Sequence, residues 1–100
     1  MSYTVRDDIN SPSYFKNYDA ADYASGDIDL SEAGPESGQL PCQIFVEAAA
    51  GDVLSLTDTH GNTATKTFTA AWTGPLRCSP KIIETASDVV SITVFWNAAP

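Results

Sequence analysis

From Leu40 onward, hydrophobic residues recur at every second position, the spacing of a strand that buries one face. In the first such strand, Cys42, Ile44, Val46 and Ala48 share one side, and Gln43, Phe45 and Glu47 share the other. A second strand is predicted over Val53–Thr57, with Leu54 and Leu56 inward and Ser55 and Thr57 outward. The intervening Ala49–Asp52 is predicted to be a turn.

Further strands follow at short intervals. They are predicted over Thr63–Thr69, Leu76–Cys78, Lys81–Thr85 and Val89–Trp96, and a short additional one over Asp27–Leu30. Asp58–Asn62 is the clearest hairpin signal, because Gly61 and Asn62 tolerate positive φ. Pro75 and Pro80 bound the strand Leu76–Cys78 and favour an edge position for it. The pattern predicts an all-β fold, a small antiparallel β-sandwich or barrel of about six to eight strands, jelly-roll-like.

The last strand is apolar on both faces. Val90, Ile92, Val94 and Trp96 share one face, while Val89 and Phe95 lie beside Ser91 and Thr93 on the other. One face is expected to belong to the core and the other to a contact, and small domains commonly gain stability by assembling.

Residues 1–40 are predicted to be an acidic, aromatic N-terminal arm, and residues 41–100 the β-sandwich domain. The arm holds eight acidic and two basic residues and many turn formers. Aromatic side chains alternate with the acids and are predicted to lay the arm on a surface, either its own or a partner's. The candidate partner-binding residues are Tyr3, Tyr14, Phe15, Tyr18 and Tyr23. A short, weak helix over Asn17–Tyr23 is an alternative for part of the arm, with Asn17 or Ser13 as its cap.

Composition narrows the functions open to the chain. One hundred residues of which 43% are hydrophobic suit a single globular domain. The net charge of -8 opposes binding to nucleic acid and to anionic membranes, so neither is expected as a partner. No apolar run approaches the length that crosses a bilayer, and the first ten residues lack the pattern of a signal peptide.

No catalytic, cofactor-binding or metal-binding residue is predicted. His60 lies in a hairpin tip and is interpreted as a polar turn residue. Cys42 and Cys78 are expected to be free, buried thiols, and two cysteines with one histidine do not supply a zinc site. No serine has the surroundings of a nucleophile elbow. The chain is therefore predicted to be a non-enzyme.

Trp72 is the remaining candidate for a binding residue. It is predicted to lie in a loop, Thr69–Pro75, between two strands. Its indole either folds back onto the edge of the sandwich or stands exposed as an anchor for a sugar face or a partner pocket.

Several segments together carry a family resemblance: Ile44–Val46, Gly51–Leu56, Gly61–Asn62, Gly74–Arg77, Lys81–Ile82 and Ile92–Trp96. In order and spacing, over about residues 42–96, the chain resembles small β-barrel head-decoration (cement) and spike-base proteins of tailed phages and gene-transfer-agent particles. It departs from them at Ser87-Asp88, where a glycine-rich turn is common. The resemblance implies a homotrimer on the capsid surface of a virion, made in the host cytoplasm, with its arm on neighbouring major capsid protein subunits.

Three classes of function follow. A capsid decoration protein is the first. A spike base or a carbohydrate- or receptor-binding module on the particle surface, with Trp72 exposed, is the second. A small enzyme that uses His60 is a distant third. If residues 1–25 are only an interaction arm, their removal is expected to leave the β domain folded and to abolish partner binding.

Overall fold

The computed structural model describes residues 14–97, within which eight strands and one helix follow one another. Their bounds are β1 Tyr14–Asp19, α1 Ala20–Ala24, β2 Ile28–Asp29, β3 Gln43–Ala48, β4 Val53–Thr57, β5 Thr63–Thr67, β6 Trp72–Leu76, β7 Ile82–Ile83 and β8 Ser91–Trp96. The predicted hairpin at Asp58–Asn62 joins β4 to β5, and Gly61 there has a φ of 83°.

The strands of this range form two antiparallel four-stranded sheets. Sheet A has the order β1-β8-β3-β6, and sheet B the order β2-β7-β4-β5. The first strand pairs with the eighth, the second with the seventh, the third with the sixth and the fourth with the fifth. A long antiparallel ribbon wound across two sheets in this way is a jelly roll. The all-β, jelly-roll-like sandwich predicted from the pattern is therefore confirmed.

The core lies between the sheets and draws on alternate strand positions. Burial alternates along β3 and β8, as the period of two requires. Four residues of the hydrophobic core come from outside the strands: Tyr23, Leu30, Phe68 and Val89. Burying a large apolar side chain stabilises the fold by about 1.5–3 kcal/mol. The segments between strands therefore contribute to the core as well as the strands do.

The segment after Ser13 corrects the helix prediction. Residues 14–19 form β1 and pair with β8 along their whole length, and α1 begins only at Ala20. Asp19 caps α1, because its Oδ1 accepts from the backbone N–H of Ala21 at 3.1 Å and of Asp22 at 3.2 Å. Asn17 is therefore a strand residue and not the cap, and Ser13 lies outside the described residues.

Residues 14–40 pack against the rest of the fold, which differs from the expected division at residue 40. They contribute β1 to sheet A, β2 to sheet B, and the fully buried Tyr23 and Leu30. The acidic composition of this segment concealed its role, since its acids lie on exposed positions between the buried ones. Of the predicted arm, residues 1–13 lie outside the described residues.

Strand β6 corrects the loop predicted around Trp72. Trp72–Leu76 pairs with β3, and Pro75 lies opposite Phe45. Among the described strands, β6 is an edge of sheet A. Proline is tolerated in an edge strand because the side without a neighbouring strand needs no N–H donor. The edge position was predicted correctly, but the strand begins and ends earlier than predicted.

Ser55 and Thr57 lie on the outer face of sheet B, as predicted, yet they are buried. The turn after β7 covers them. Ser55 N donates to Ser87 Oγ at 2.9 Å, Ser87 Oγ donates to Ser55 O at 3.0 Å, and Thr57 Oγ1 donates to Glu84 Oε2 at 2.6 Å. These hydrogen bonds provide partners for the backbone groups of Ser55 and the hydroxyl of Thr57, which burial separates from water.

Candidate binding surfaces

A diagonal band of apolar side chains crosses the outer face of sheet A. It consists of Phe15 in β1, Phe95 in β8, Phe45 in β3 and Pro75 in β6, and we call it the outer band. Phe15 lies opposite Phe95, and Phe45 lies opposite Pro75. The rings of Phe15 and Phe95 are 6.0 Å apart. Phe15 is 65% exposed and Phe45 is 38% exposed.

The outer band faces solvent because its members alternate with core residues. On β3, Ile44 and Val46 are buried in the sandwich, so the residue between them points outward. The same alternation turns Phe95 outward between Val94 and Trp96. Contiguous exposed apolar surface of this kind is typical of an interaction site. The sequence had indicated the outward side of Phe95, and its extension over four strands depends on the strand order.

Polar residues border the outer band. Asn17 Nδ2 donates to Thr93 Oγ1 at 2.8 Å, which fixes both side chains on the outer face. The next row toward α1 holds Asp19, Ser91, Glu47 and Thr73 in register. An apolar centre with a polar, partly acidic margin matches the usual division of an interface into core and rim.

The predicted aromatic anchors of the arm separate into two groups. Tyr14 packs edge-on against Trp96, with the ring centroids 5.7 Å apart, and Tyr18 is half-buried against the core. Tyr23 is fully buried. Among the described arm aromatics, Phe15 alone is mostly exposed, and Tyr3 lies outside the described residues.

The Tyr23 hydroxyl lies inside the core and is bonded there. It donates to Val89 O at 3.0 Å and approaches Tyr18 O at 3.5 Å. Burial raises the pKa of this phenol strongly, and the nearby Asp19 and Asp22 raise it further. Burial likewise raises the pKa of Tyr18. Both hydroxyls therefore stay protonated above the usual pKa of tyrosine, and that of Tyr23 bonds to the backbone inside the core.

Trp72 lies beside a cleft where β5 and β6, the described edge strands of the two sheets, are joined by residues 68–71. Its indole stacks on Phe68 with the ring centroids 5.9 Å apart and the planes 22° from parallel. A Cβ at Gly74 would lie 3.0 Å from Trp72 Cζ2, so the glycine makes room for the indole. Trp72 thus folds back onto the sandwich edge and still leaves 37% of its surface exposed.

The cleft has a volume of about 360 Å³, and we call it the Trp72 cleft. Its described lining is Lys66, Phe68, Thr69, Ala70, Ala71, Trp72 and Leu76. The Lys66 ammonium lies 5.4 Å from the centre of the Phe68 ring. Lys66 and Phe68 were not singled out from the sequence, because their approach to Trp72 depends on the sheets meeting at this edge.

The remaining candidate residues lie apart from one another. His60 is exposed in the β4–β5 hairpin, where its backbone N–H donates to Asp58 Oδ1 at 2.8 Å. Cys42 and Cys78 are free and half-buried, and burial raises the pKa of the Cys78 thiol. Within residues 14–97 no group of three or more His, Cys, Asp or Glu residues is placed to hold a metal ion. No helix in this range is long and apolar enough to cross a membrane.

Comparison with protein-family models, with curated proteins and with solved structures found no match to the chain. Function is therefore inferred from the geometry of the outer band and of the Trp72 cleft.

Proposed function

We propose that this chain is a non-enzymatic structural protein of a virion, a decoration protein that trimerises on the capsid surface and reaches the neighbouring capsid subunits with its N-terminal residues. The outer band carries the proposal. It is a four-strand apolar surface on a domain whose core is already complete between the sheets.

The occupant proposed for the outer band is another copy of the chain. Phe15 and Phe45 are large, rigid side chains whose burial in an interface stabilises association, and aromatic residues dominate binding energy in such contacts. The acidic margin at Asp19 and Glu47 opposes a contact of the band with itself. A head-to-tail contact with a different face of the neighbour avoids that repulsion. Such a contact forms a trimeric ring when the rotation between neighbouring copies is one-third of a turn.

Fold and charge support the same proposal. Jelly rolls serve as viral capsid and lectin domains, although a fold by itself does not imply a function. The net charge of -8 suits an outer layer that never meets packaged nucleic acid. The aromatic residues of the arm support it less, because Tyr14, Tyr18 and Tyr23 pack on the chain's own core.

Light scattering on a sizing column tests the assembly. The unmodified chain is expected to have three times the monomer mass, and Phe15→Ser combined with Phe45→Ser is expected to reduce it to the monomer mass. Val90→Ser is the matched control, because Val90 is 47% exposed and lies outside the outer band. A monomeric unmodified chain, or equal dissociation by Val90→Ser, would contradict the proposal.

Co-sedimentation with purified phage heads tests whether the chain binds to the capsid. The full chain is expected to sediment with the heads, and the chain lacking residues 1–13 is expected to remain a trimer and stay in solution. Retention of the shortened chain on the heads would show that the first thirteen residues do not make the capsid contact.

A further inference from the structure

We propose that the Trp72 cleft binds a sugar acid, with the exposed part of the Trp72 indole under one face of the sugar ring and the Lys66 ammonium on its carboxylate. The inference does not rest on trimerisation or on a capsid, because every residue it uses belongs to one chain.

The Trp72 cleft is large enough for a small ligand. A volume of about 360 Å³ lies at the lower end of the range of small-molecule sites, roughly 300–1,000 Å³. Gly74 lets the backbone approach the indole closely, and the buried Phe68 ring stacks on the indole. The aromatic surface is therefore held in place before a ligand arrives, which reduces the ordering cost of binding.

The chemistry of the cleft selects a ligand with one apolar face. The face of an aromatic ring carries partial negative charge, and it attracts the weakly positive C–H groups along one side of a pyranose. Trp72 remains more than one-third exposed. A ligand lying on it keeps its other side in water, so hydroxyl groups at the ring edge stay hydrated. A wholly apolar ligand would leave much of its surface in contact with water at such an open site.

The charge of the cleft selects an anion. Its described lining contains one basic residue, Lys66, and no acidic residue, in a chain whose net charge is -8. The ammonium supplies three hydrogen-bond donors, and the Thr69 hydroxyl adds another polar group to the lining. A carboxylate beside the sugar ring pairs with this donor set, whereas a neutral sugar forms no ion pair with Lys66.

A pair of matched ligands tests the proposal. Methyl glucuronide and methyl glucoside differ in the carboxylate, and binding is followed by tryptophan fluorescence. The chain has two tryptophans, and Trp96 is fully buried, so a response to ligand arises at Trp72. The glucuronide is expected to bind with a dissociation constant on the order of 1 mM for a ligand of this size, and the glucoside about tenfold more weakly.

The net negative charge of the chain works against glucuronide binding in this comparison. A net charge of -8 disfavours any anion near the surface. A preference for the glucuronide over the glucoside therefore has to come from a local cation. Equal binding of the two ligands, or no saturable response to the glucuronide up to about a hundredfold the expected constant, would overturn the proposal.

Variants assign the carboxylate contact to Lys66 and the fluorescence signal to Trp72. Lys66→Met keeps the aliphatic stem and is expected to weaken glucuronide binding about tenfold while leaving glucoside binding unchanged. Lys81→Met is the matched control, because Lys81 precedes β7 and does not line the cleft. Trp72→Phe is expected to abolish the fluorescence response. A response that persists in Trp72→Phe, or equal effects of the two lysine variants, would overturn the assignment.

A peptide from the chain itself is the alternative ligand for the Trp72 cleft. Residues 1–13 of the chain contain Tyr3 with Asp7 and Asp8, so they also offer a ring and carboxylates. The synthetic peptide of these residues is titrated beside the glucuronide. Saturable binding of the peptide without binding of the glucuronide would overturn the sugar assignment and identify the cleft as a docking site for the chain's own N-terminal residues.

Discussion

The single hydroxyl of Tyr23 is expected to stabilise the whole fold measurably. Tyr23→Phe keeps the buried ring and removes the donor that lies 3.0 Å from Val89 O. Val89 is fully buried, so its carbonyl loses a partner that water cannot replace. Leaving a buried acceptor unsatisfied costs about 1–3 kcal/mol. For a domain of this size, a loss of about 1 kcal/mol lowers Tm by roughly 4–8 °C.

The assay is urea unfolding followed by tryptophan fluorescence, with thermal unfolding by circular dichroism as a second measure. Tyr14→Phe is the matched control, because the Tyr14 ring also packs on the core but is only half-buried. It is expected to change the free energy of unfolding by less than about 0.5 kcal/mol. Equal stabilities of the two variants would refute the reasoning, since the bond to Val89 would then contribute nothing.

The pH dependence of the same group gives an independent check. Burial raises the pKa of Tyr23 in the folded state above its unfolded value, which is about 10. The corresponding stability is therefore fully present below about pH 10 and is lost as pH rises above that value. The unmodified chain is expected to lose stability between about pH 10 and pH 12, and Tyr23→Phe is expected to lose less over the same interval. Parallel curves would contradict the assignment to Tyr23.

Three further predictions follow from the packing. Gly34→Ala places a Cβ 2.5 Å from Trp96 Nε1 and is expected to destabilise the chain by about 1–3 kcal/mol in urea unfolding; an unchanged midpoint would contradict the clash. Removing residues 1–25 deletes β1 and Tyr23 and is expected to unfold the chain, whereas removing residues 1–13 keeps the circular dichroism spectrum; a folded 26–100 fragment would contradict the role of β1 in the fold. Asp58 accepts backbone N–H groups that lower its pKa, so its contribution is present above about pH 4 and lost at lower pH. Asp58→Ala is expected to flatten the acid limb of the thermal unfolding curve, and an unchanged limb would contradict this.

Alternation and turn residues identified most of the strands correctly. Strands β3 and β4 have the predicted inward residues, and Gly61 turns the chain between β4 and β5. These features depend on neighbours in sequence, namely the period of two and the freedom of glycine to adopt positive φ. Interactions between residues close in sequence are sufficient to predict these features to within a few residues.

The strand formed by the acidic segment could not be predicted from its neighbours in sequence. Tyr14, Lys16 and Tyr18 alternate with Phe15, Asn17 and Asp19, but a strand with so many polar residues is stable only when it has a partner. That partner is β8, more than seventy residues later in the chain. The choice between arm and strand therefore depended on a long-range pairing that composition does not encode.

The sequence by itself determined that Phe45 and Phe95 lie on the sides of β3 and β8 opposite the core residues. It placed Val89 and Val90 on the wrong faces, because Val89 is buried and Val90 is exposed just before β8 begins. Only the tertiary structure decided that Phe45 and Phe95 join Phe15 and Pro75 into one band, and that Lys66 and Phe68 meet Trp72. The physical reason is that side-chain direction follows from the pleat of one strand. A surface follows from the order of strands in a sheet and from how the two sheets close on each other.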